Sequence, residues 1–371
     1  MTTSIGEVLD QLTVPGELYE KLDDNAVRCF ACGHRCVIRD GRRGICQVRF
    51  NDGGELRVPH GYVAALQSDP VEKKPFFHVL PGTNALTFGM LGCDFHCGYC
   101  QNWLTSQAMR DPSADPSINY IRKISPQGMV DLARKTKASI VVSSYNEPLI
   151  TSEWAAEIFR QAKAAGLMCA YVSNGNNTPE VMEYIGPYLS AYKVDLKCMQ
   201  DKNYRKLGGV LQNTLDGIKR AREMGLWVEI VTLTIPGFND SNEELWEAAR
   251  FIAGVSRDIP WHVTAFHKDY KMTDPENTDA QALMRAAEIG REAGLRYVYA
   301  GNLPGQVGEY EDTTCPACNH RLIRRRGYII QEYRITSEGN CPQCGQKIPG
   351  FWHKNPSQVV LNGSGMPVPV Y

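Results

Sequence analysis

No stretch of the 371 residues is apolar for long enough to cross a bilayer, and the opening MTTSIGEVLDQLTVPGE lacks a basic start followed by an apolar core. Both absences point to a cytoplasmic protein with no membrane partner. Charge of one sign is also lacking. Forty Lys and Arg against 41 Asp and Glu leave a net charge of -1, so there is no global pull towards nucleic acid or an anionic surface. Low-complexity segments are absent, and hydrophobic and charged contents of 43% and 22% are those of an ordinary globular chain.

Cysteine, by contrast, is abundant. Eleven of the 13 cysteines fall into three groups: Cys29, Cys32, Cys36 and Cys46; Cys93, Cys97 and Cys100; and Cys315, Cys318, Cys341 and Cys344. Short fixed spacings without a secretory signal indicate metal thiolates rather than disulfides. The two left over, Cys169 and Cys198, read as small buried residues.

The pattern of the chain changes twice, which predicts three parts: a four-cysteine module over 1–84, a core over 85–305 and a cysteine-flanked module with a proline-containing tail over 306–371. In the first, 48–50 and 55–58 read as a hairpin closed by Asn51-Asp52-Gly53-Gly54, residues that tolerate positive φ. In the core, apolar runs at 85–90, 139–142, 168–172, 191–196, 227–234, 261–265 and 297–299 alternate with helical windows at 154–165, 204–224, 243–253 and 280–293. That rhythm predicts an α/β fold with a parallel sheet, a partial (β/α)6 barrel of the TIM type.

Cys93-x3-Cys97-x2-Cys100 follows the first core strand. Three thiolates on one loop can hold three irons of a cubane and leave the fourth open, the mark of a reactive site rather than a structural one. A Cys3His zinc knot using His96 is the competing reading. Position after a barrel strand favours the cluster, because such folds carry their chemistry there. With Tyr99 before the last cysteine, this run resembles the signature of the radical S-adenosylmethionine (SAM) superfamily. Val71–His78, Cys100–Trp103, Tyr145–Pro148, Val194–Lys197 and Trp261–His267 further resemble the AmmeMemoRadiSam system radical SAM enzymes, relatives of the pyruvate formate-lyase-activating enzymes.

The resemblance implies a 4Fe-4S cluster whose open iron takes the amine and carboxylate of SAM, and a 5′-deoxyadenosyl radical that abstracts hydrogen from substrate. It also implies a cofactor-binding set. Glu147 would meet the SAM amine, Ser173 its carboxylate, Lys197 would offset that charge beside Asp195, and Tyr99 would pack near the adenine. Each has a plainer reading. Glu147 suits the first turn of a helix, Asp195 and Lys197 share a strand face and can neutralise one another, and Tyr99 can be core. Related activating enzymes can hold a monovalent cation beside the Asp-Leu-Lys strand. Here Val172 stands where an acid is expected and Lys193 lies two before Asp195, so Lys193 is expected to replace the cation unless it is a surface lysine. His262 and His267 are candidates for the substrate side, or structural histidines.

Cys315-x2-Cys318 and Cys341-x2-Cys344, separated by segments of strand character, give a strong zinc-ribbon signal, with rubredoxin-like iron as the minor alternative. Arg321, Arg324, Arg325 and Arg326 on the ribbon read as a solvated face ahead of a nucleic-acid contact. The N-terminal set suits structural zinc or a second 4Fe-4S cluster. Zinc is the expectation, since a short module needs a cross-link to fold. The function expected is radical modification of a protein or peptide, with an external electron donor such as flavodoxin or ferredoxin. Modification of a small metabolite or RNA is the catalytic alternative, and an iron-sulfur carrier or zinc-stabilised binding scaffold the non-enzymatic one.

Overall fold

The computed structural model describes residues 4–370, and a single large sheet organises it. Strand β1 (Ala65–Pro70) lies antiparallel to β2 (Asn84–Gly89). From β2 onward every strand runs parallel to its predecessor: β3 (Ala138–Ser143), β4 (Met168–Ser173), β5 (Ala191–Asp195), β6 (Trp227–Thr234), β7 (Trp261–Ala265) and β8 (Val298–Gly301). Parallel neighbours need crossovers, here supplied mainly by helices. These are α1 (Pro126–Lys135), α2 (Ser152–Ala164), α3 (Pro179–Ile185), the pair α4 (Asp201–Lys206) and α5 (Leu211–Glu223), α6 (Asn242–Val255) and α7 (Ala280–Glu292).

The strands are near-continuous apolar runs because both sheet faces are covered; Ile140, Val141 and Val142 of β3 are all fully buried. The helices are half apolar. In α2, Trp154, Ala155, Ile158, Phe159 and Ala162 form the stripe that meets the sheet. Side-chain caps fix where several begin: Ser125, Thr178, Ser241 and Asp279 each accept a backbone N–H three residues on.

Before β1, two small antiparallel sheets hold the N-terminal cysteines. One joins Thr13–Pro15, Glu55–Pro59 and Phe50–Asp52, the other Tyr19–Lys21, Val27–Cys29 and Val37–Ile38. After β8, strands β9 (Arg321–Arg326) and β10 (Ile329–Tyr333) form an antiparallel hairpin. Its Leu322, Ile323 and Ile330 pack with Phe77, Tyr297 and Tyr299. The chain then returns to the large sheet, where β11 (Val368–Pro369) pairs antiparallel with β1. Strand order is therefore β11-β1-β2-β3-β4-β5-β6-β7-β8, an open sheet with β8 and β11 at its edges. Among the described residues no helix is long and apolar enough to cross a membrane.

Two sequence expectations need correction. The helix expected over 204–224 is broken into α4 and α5 by Gly208-Gly209. Gly208 has φ +90°, and a Cβ on Gly209 would lie 2.3 Å from Phe95 of the central cysteine loop, so both positions require glycine. The hairpin turn is also shorter than expected. Asp52 pairs with Glu55, leaving only Gly53 and Gly54, both at positive φ, to turn the chain. Asn51 belongs to the strand because its amide donates to the carbonyls of Asn25 and Ile38.

Candidate active site

The central cysteine loop leaves β2 at the C-terminal edge of the parallel strands, where the loops after β3, β4 and β5 also converge. Gly92, at φ +95°, allows the sharp departure and lies against Val48 and the Cys46 carbonyl, where a Cβ would clash. Phe95 anchors the loop in the core, edge-on to Tyr204. The His96 backbone N–H donates to Leu207, while its ring is exposed. The His96 ring packs against Gly208 and does not group with the loop thiols within ligand distance, against the Cys3His reading. The three cysteines are free thiols, and Cys97 is within electrostatic reach of both Cys93 and Cys100. The Phe95 N–H donates to Cys93 Sγ at 3.4 Å, and Cys100 Sγ meets Ser106 Oγ at 3.2 Å. Buried, hydrogen-bonded thiols on one loop fit an iron-sulfur cluster.

Cys97, Tyr99 and Cys100 open onto a cavity of about 340 Å³. One wall is cationic. Lys193 Nζ and Lys197 Nζ both donate to Asp195, the latter at 2.8 Å. Burial opposes ionisation of Asp195, but the flanking ammoniums hold its carboxyl well below the usual range. Lys193 is only 4% exposed, which removes the surface-lysine reading. A second group at the cavity joins two of the sequence motifs, Val71–His78 and Tyr145–Pro148, to Asp69 of β1. Lys73 and Lys74 meet the two oxygens of the buried Asp69 at 2.9 and 2.7 Å, and Tyr145 donates to it at 2.6 Å. Burial pushes the Lys74 ammonium down to about 8 despite Asp69. Glu72 also lines the cavity. Burial raises its carboxyl to about 7, with Oε1 accepting from the Gly82 N–H while the buried Oε2 has no partner. Gly327 and Tyr328, at the turn between β9 and β10, reach the same cavity.

The remaining expected cofactor residues sit behind the loop rather than on the cavity wall. Glu147 is buried and accepts three hydrogen bonds, from Ser173 Oγ at 2.7 Å, the Asn174 N–H at 2.8 Å and the Leu149 N–H at 3.2 Å. Burial and the nearby Asp94 carboxylate push its pKa up to about 8 against those donors. The Ser173 hydroxyl in turn accepts from Tyr192 and the Gly175 N–H. Both side chains are thus occupied in shaping the turn after β4. Asp94, also unmarked by the sequence, accepts from Asn174 and Asn176 at 2.7 and 2.8 Å and ties that turn to the cysteine loop.

His262 lines the cavity and bonds Glu229 at 2.7 Å; burial lowers its pKa despite that carboxylate. His267 is exposed and reaches Gln101 at 2.9 Å. Cys198 and Cys169 are buried, as expected of small core residues. The ribbon cysteines converge: Cys315 and Cys344 lie 3.6 Å apart, Cys318 and Cys341 3.7 Å. The arginines beside them do not form one basic face. Arg325 is buried, donating to Thr313 and the Phe77 carbonyl, and Arg321 lies near Asp312 and Glu332.

This fold and thiol loop define a class. The family model of the radical SAM superfamily matches residues 88–252, from β2 into α6. The chain belongs to the radical SAM superfamily, whose members use a 4Fe-4S cluster and SAM. An uncharacterized protein of Methanocaldococcus jannaschii is 35% identical over 333 residues, spanning 89% of this chain and 97% of its own. The pyruvate formate-lyase-activating enzyme of Staphylococcus aureus (strain USA300) is 25% identical over 249 residues, 61% of this chain and 93% of that enzyme. A solved radical SAM methyltransferase from Sphaerobacter thermophilus is 15% identical, with a TM-score of 0.47 and 80% of each chain covered.

Proposed function

We propose that Cys93, Cys97 and Cys100 hold the catalytic 4Fe-4S cluster and that the protein uses it to cleave SAM and modify a protein or peptide by hydrogen abstraction. The observation that carries this reading is the opening of Cys97 and Cys100 onto a cavity walled by lysines on two sides. When bound, the cluster and SAM supply one-electron cleavage to a 5′-deoxyadenosyl radical.

The chain's own residues do the rest. Tyr99 offers an aromatic face beside the cluster for the adenine. Lys197 is charged, since Asp195 and the nearby Cys97 outweigh burial and raise its pKa, and it attracts the SAM carboxylate. Lys193 holds Asp195 where a monovalent cation would otherwise be needed. Glu147 and Ser173 act as positioning residues: their bonds to the turn after β4 present its backbone to the cofactor. Gly327 and Tyr328 bring the ribbon's hairpin to the cavity, where it meets the substrate side of the site. The three-part organisation, 1–84, 85–305 and 306–371, separates two metal modules from a partial barrel core whose sheet is completed by β1 and β11 of the outer parts. An external low-potential donor such as ferredoxin or flavodoxin supplies the electron.

The test is spectroscopic. Anaerobically reconstituted, dithionite-reduced protein should give an electron paramagnetic resonance signal that changes on adding SAM, because three thiolates would hold three irons and leave the fourth free for SAM. A cluster signal indifferent to SAM would sink the assignment.

A further inference from the structure

We infer that Cys29, Cys32, Cys36 and Cys46 hold a second 4Fe-4S cluster and not a single zinc ion. The spacing of the thiols decides the matter. A zinc ion at roughly 2.3 Å from each sulfur draws four thiolates to within about 3.8 Å of one another by tetrahedral geometry. The ribbon set has that geometry, with sulfur pairs at 3.6 and 3.7 Å. Among the described residues, those four thiols are the group whose ligand atoms all lie within 4.8 Å of one another; no three of the N-terminal thiols approach so closely. Yet the N-terminal thiols are gathered. Cys32 is within electrostatic reach of Cys29, Cys36, Cys46 and Asp94, and three of the four cysteines are at most 6% exposed.

The chain contains its own control. Cys93, Cys97 and Cys100, the proposed catalytic cluster ligands, likewise do not all lie within 4.8 Å of one another. A polynuclear core, with an iron at each thiolate, needs that extra width and a single ion does not. The parallel extends to the sulfurs' partners: Ile45 N–H donates to Cys36 Sγ at 3.4 Å, as Phe95 N–H does to Cys93 Sγ. Beside the N-terminal thiols stands Arg49, 1% exposed, whose charge is felt by Cys29 and Cys46 and whose buried Nε has no partner. Its guanidinium binds Glu153 bidentately, so only its Nε side is left to face the thiols.

The second centre lies directly behind the catalytic loop, since Gly92 packs on the Cys46 carbonyl and Asp94 faces Cys32. Its test is metal analysis with Mössbauer spectroscopy on the full chain carrying Cys93→Ala, Cys97→Ala and Cys100→Ala together. About four irons in a cubane and one zinc should remain. No iron and two zincs would overturn the proposal. Wild-type protein supplies the second measurement, with about eight irons and one zinc expected against about four irons and two zincs if the site holds zinc. The comparison with the central loop rests on the proposed function, and the triple variant separates the two readings, because its four irons require no cluster on that loop.

Discussion

The central cysteine loop and the C-terminal ribbon use the same ligand type at similar spacing and are built to opposite ends. In the ribbon, Cys318 and Cys344 are exposed and the four sulfurs close on a single point, around a hairpin whose own apolar core is small. In the central loop the thiols are part-buried or buried, do not all lie within 4.8 Å of one another, and two of them face a cavity. On the proposed reading a metal in the ribbon would substitute for a core, whereas the central loop borrows the rigidity of a core that already exists, and what would separate a structural from a reactive thiolate set is what stands behind the thiols.

That contrast predicts different failures. Cys341→Ala should remove the ion that folds the ribbon, at a cost on the order of 10 kcal/mol to that module. Proteolysis within 306–360 should become rapid, while reductive SAM cleavage persists because the central loop is supported elsewhere. Loss of both together would erase the distinction. Arg49→Met attacks the support behind the central loop, leaving Glu153 buried without its bidentate partner. Roughly 3–5 kcal/mol of global stability should be lost in denaturant unfolding, with the ribbon ion retained.

Lys193→Met probes the cavity wall itself. Removing one of the two ammoniums on Asp195 should lower SAM cleavage by about 10–100-fold, and added potassium or sodium should restore part of it. An unchanged rate without a salt response would show that Lys193 does not stand in for a cation. Glu72 gives an effect that is visible only through pH. Its carboxyl, raised by burial to about 7 in the folded chain, binds a proton that the unfolded chain releases near 4.5. Its contribution to stability is thus full below pH 4.5 and lost as pH rises through 7. Glu72→Gln should flatten the stability curve between those values, measured by urea unfolding; a wild-type slope in the variant would deny the shift.

Much of the frame was legible in the sequence. The expected strands 227–234 and 261–265 have the observed limits, because apolar, β-rich runs ended by turn residues leave little freedom. Lys193, Asp195 and Lys197 were readable as one face because period-2 spacing is local. The break at Gly208-Gly209 was not, since its cause is Phe95, distant in sequence and adjacent in space. Nor was the occupation of Glu147 and Ser173 by each other, or the gathering of Asp69, Lys74 and Tyr145 from three segments. Pairings of that kind depend on register between strands, which no single motif carries. The ribbon arginines teach the same lesson, because alternation on β9 sends Arg325 inward while Arg324 and Arg326 face out.

The central claim is most directly tested by quantifying 5′-deoxyadenosine from anaerobically reconstituted protein given dithionite and SAM, beside Cys93→Ala, Cys97→Ala and Cys100→Ala. The wild-type chain should produce it, and each variant should fall to background while staying soluble. Full production by any one variant would contradict the assignment of the catalytic cluster to this loop.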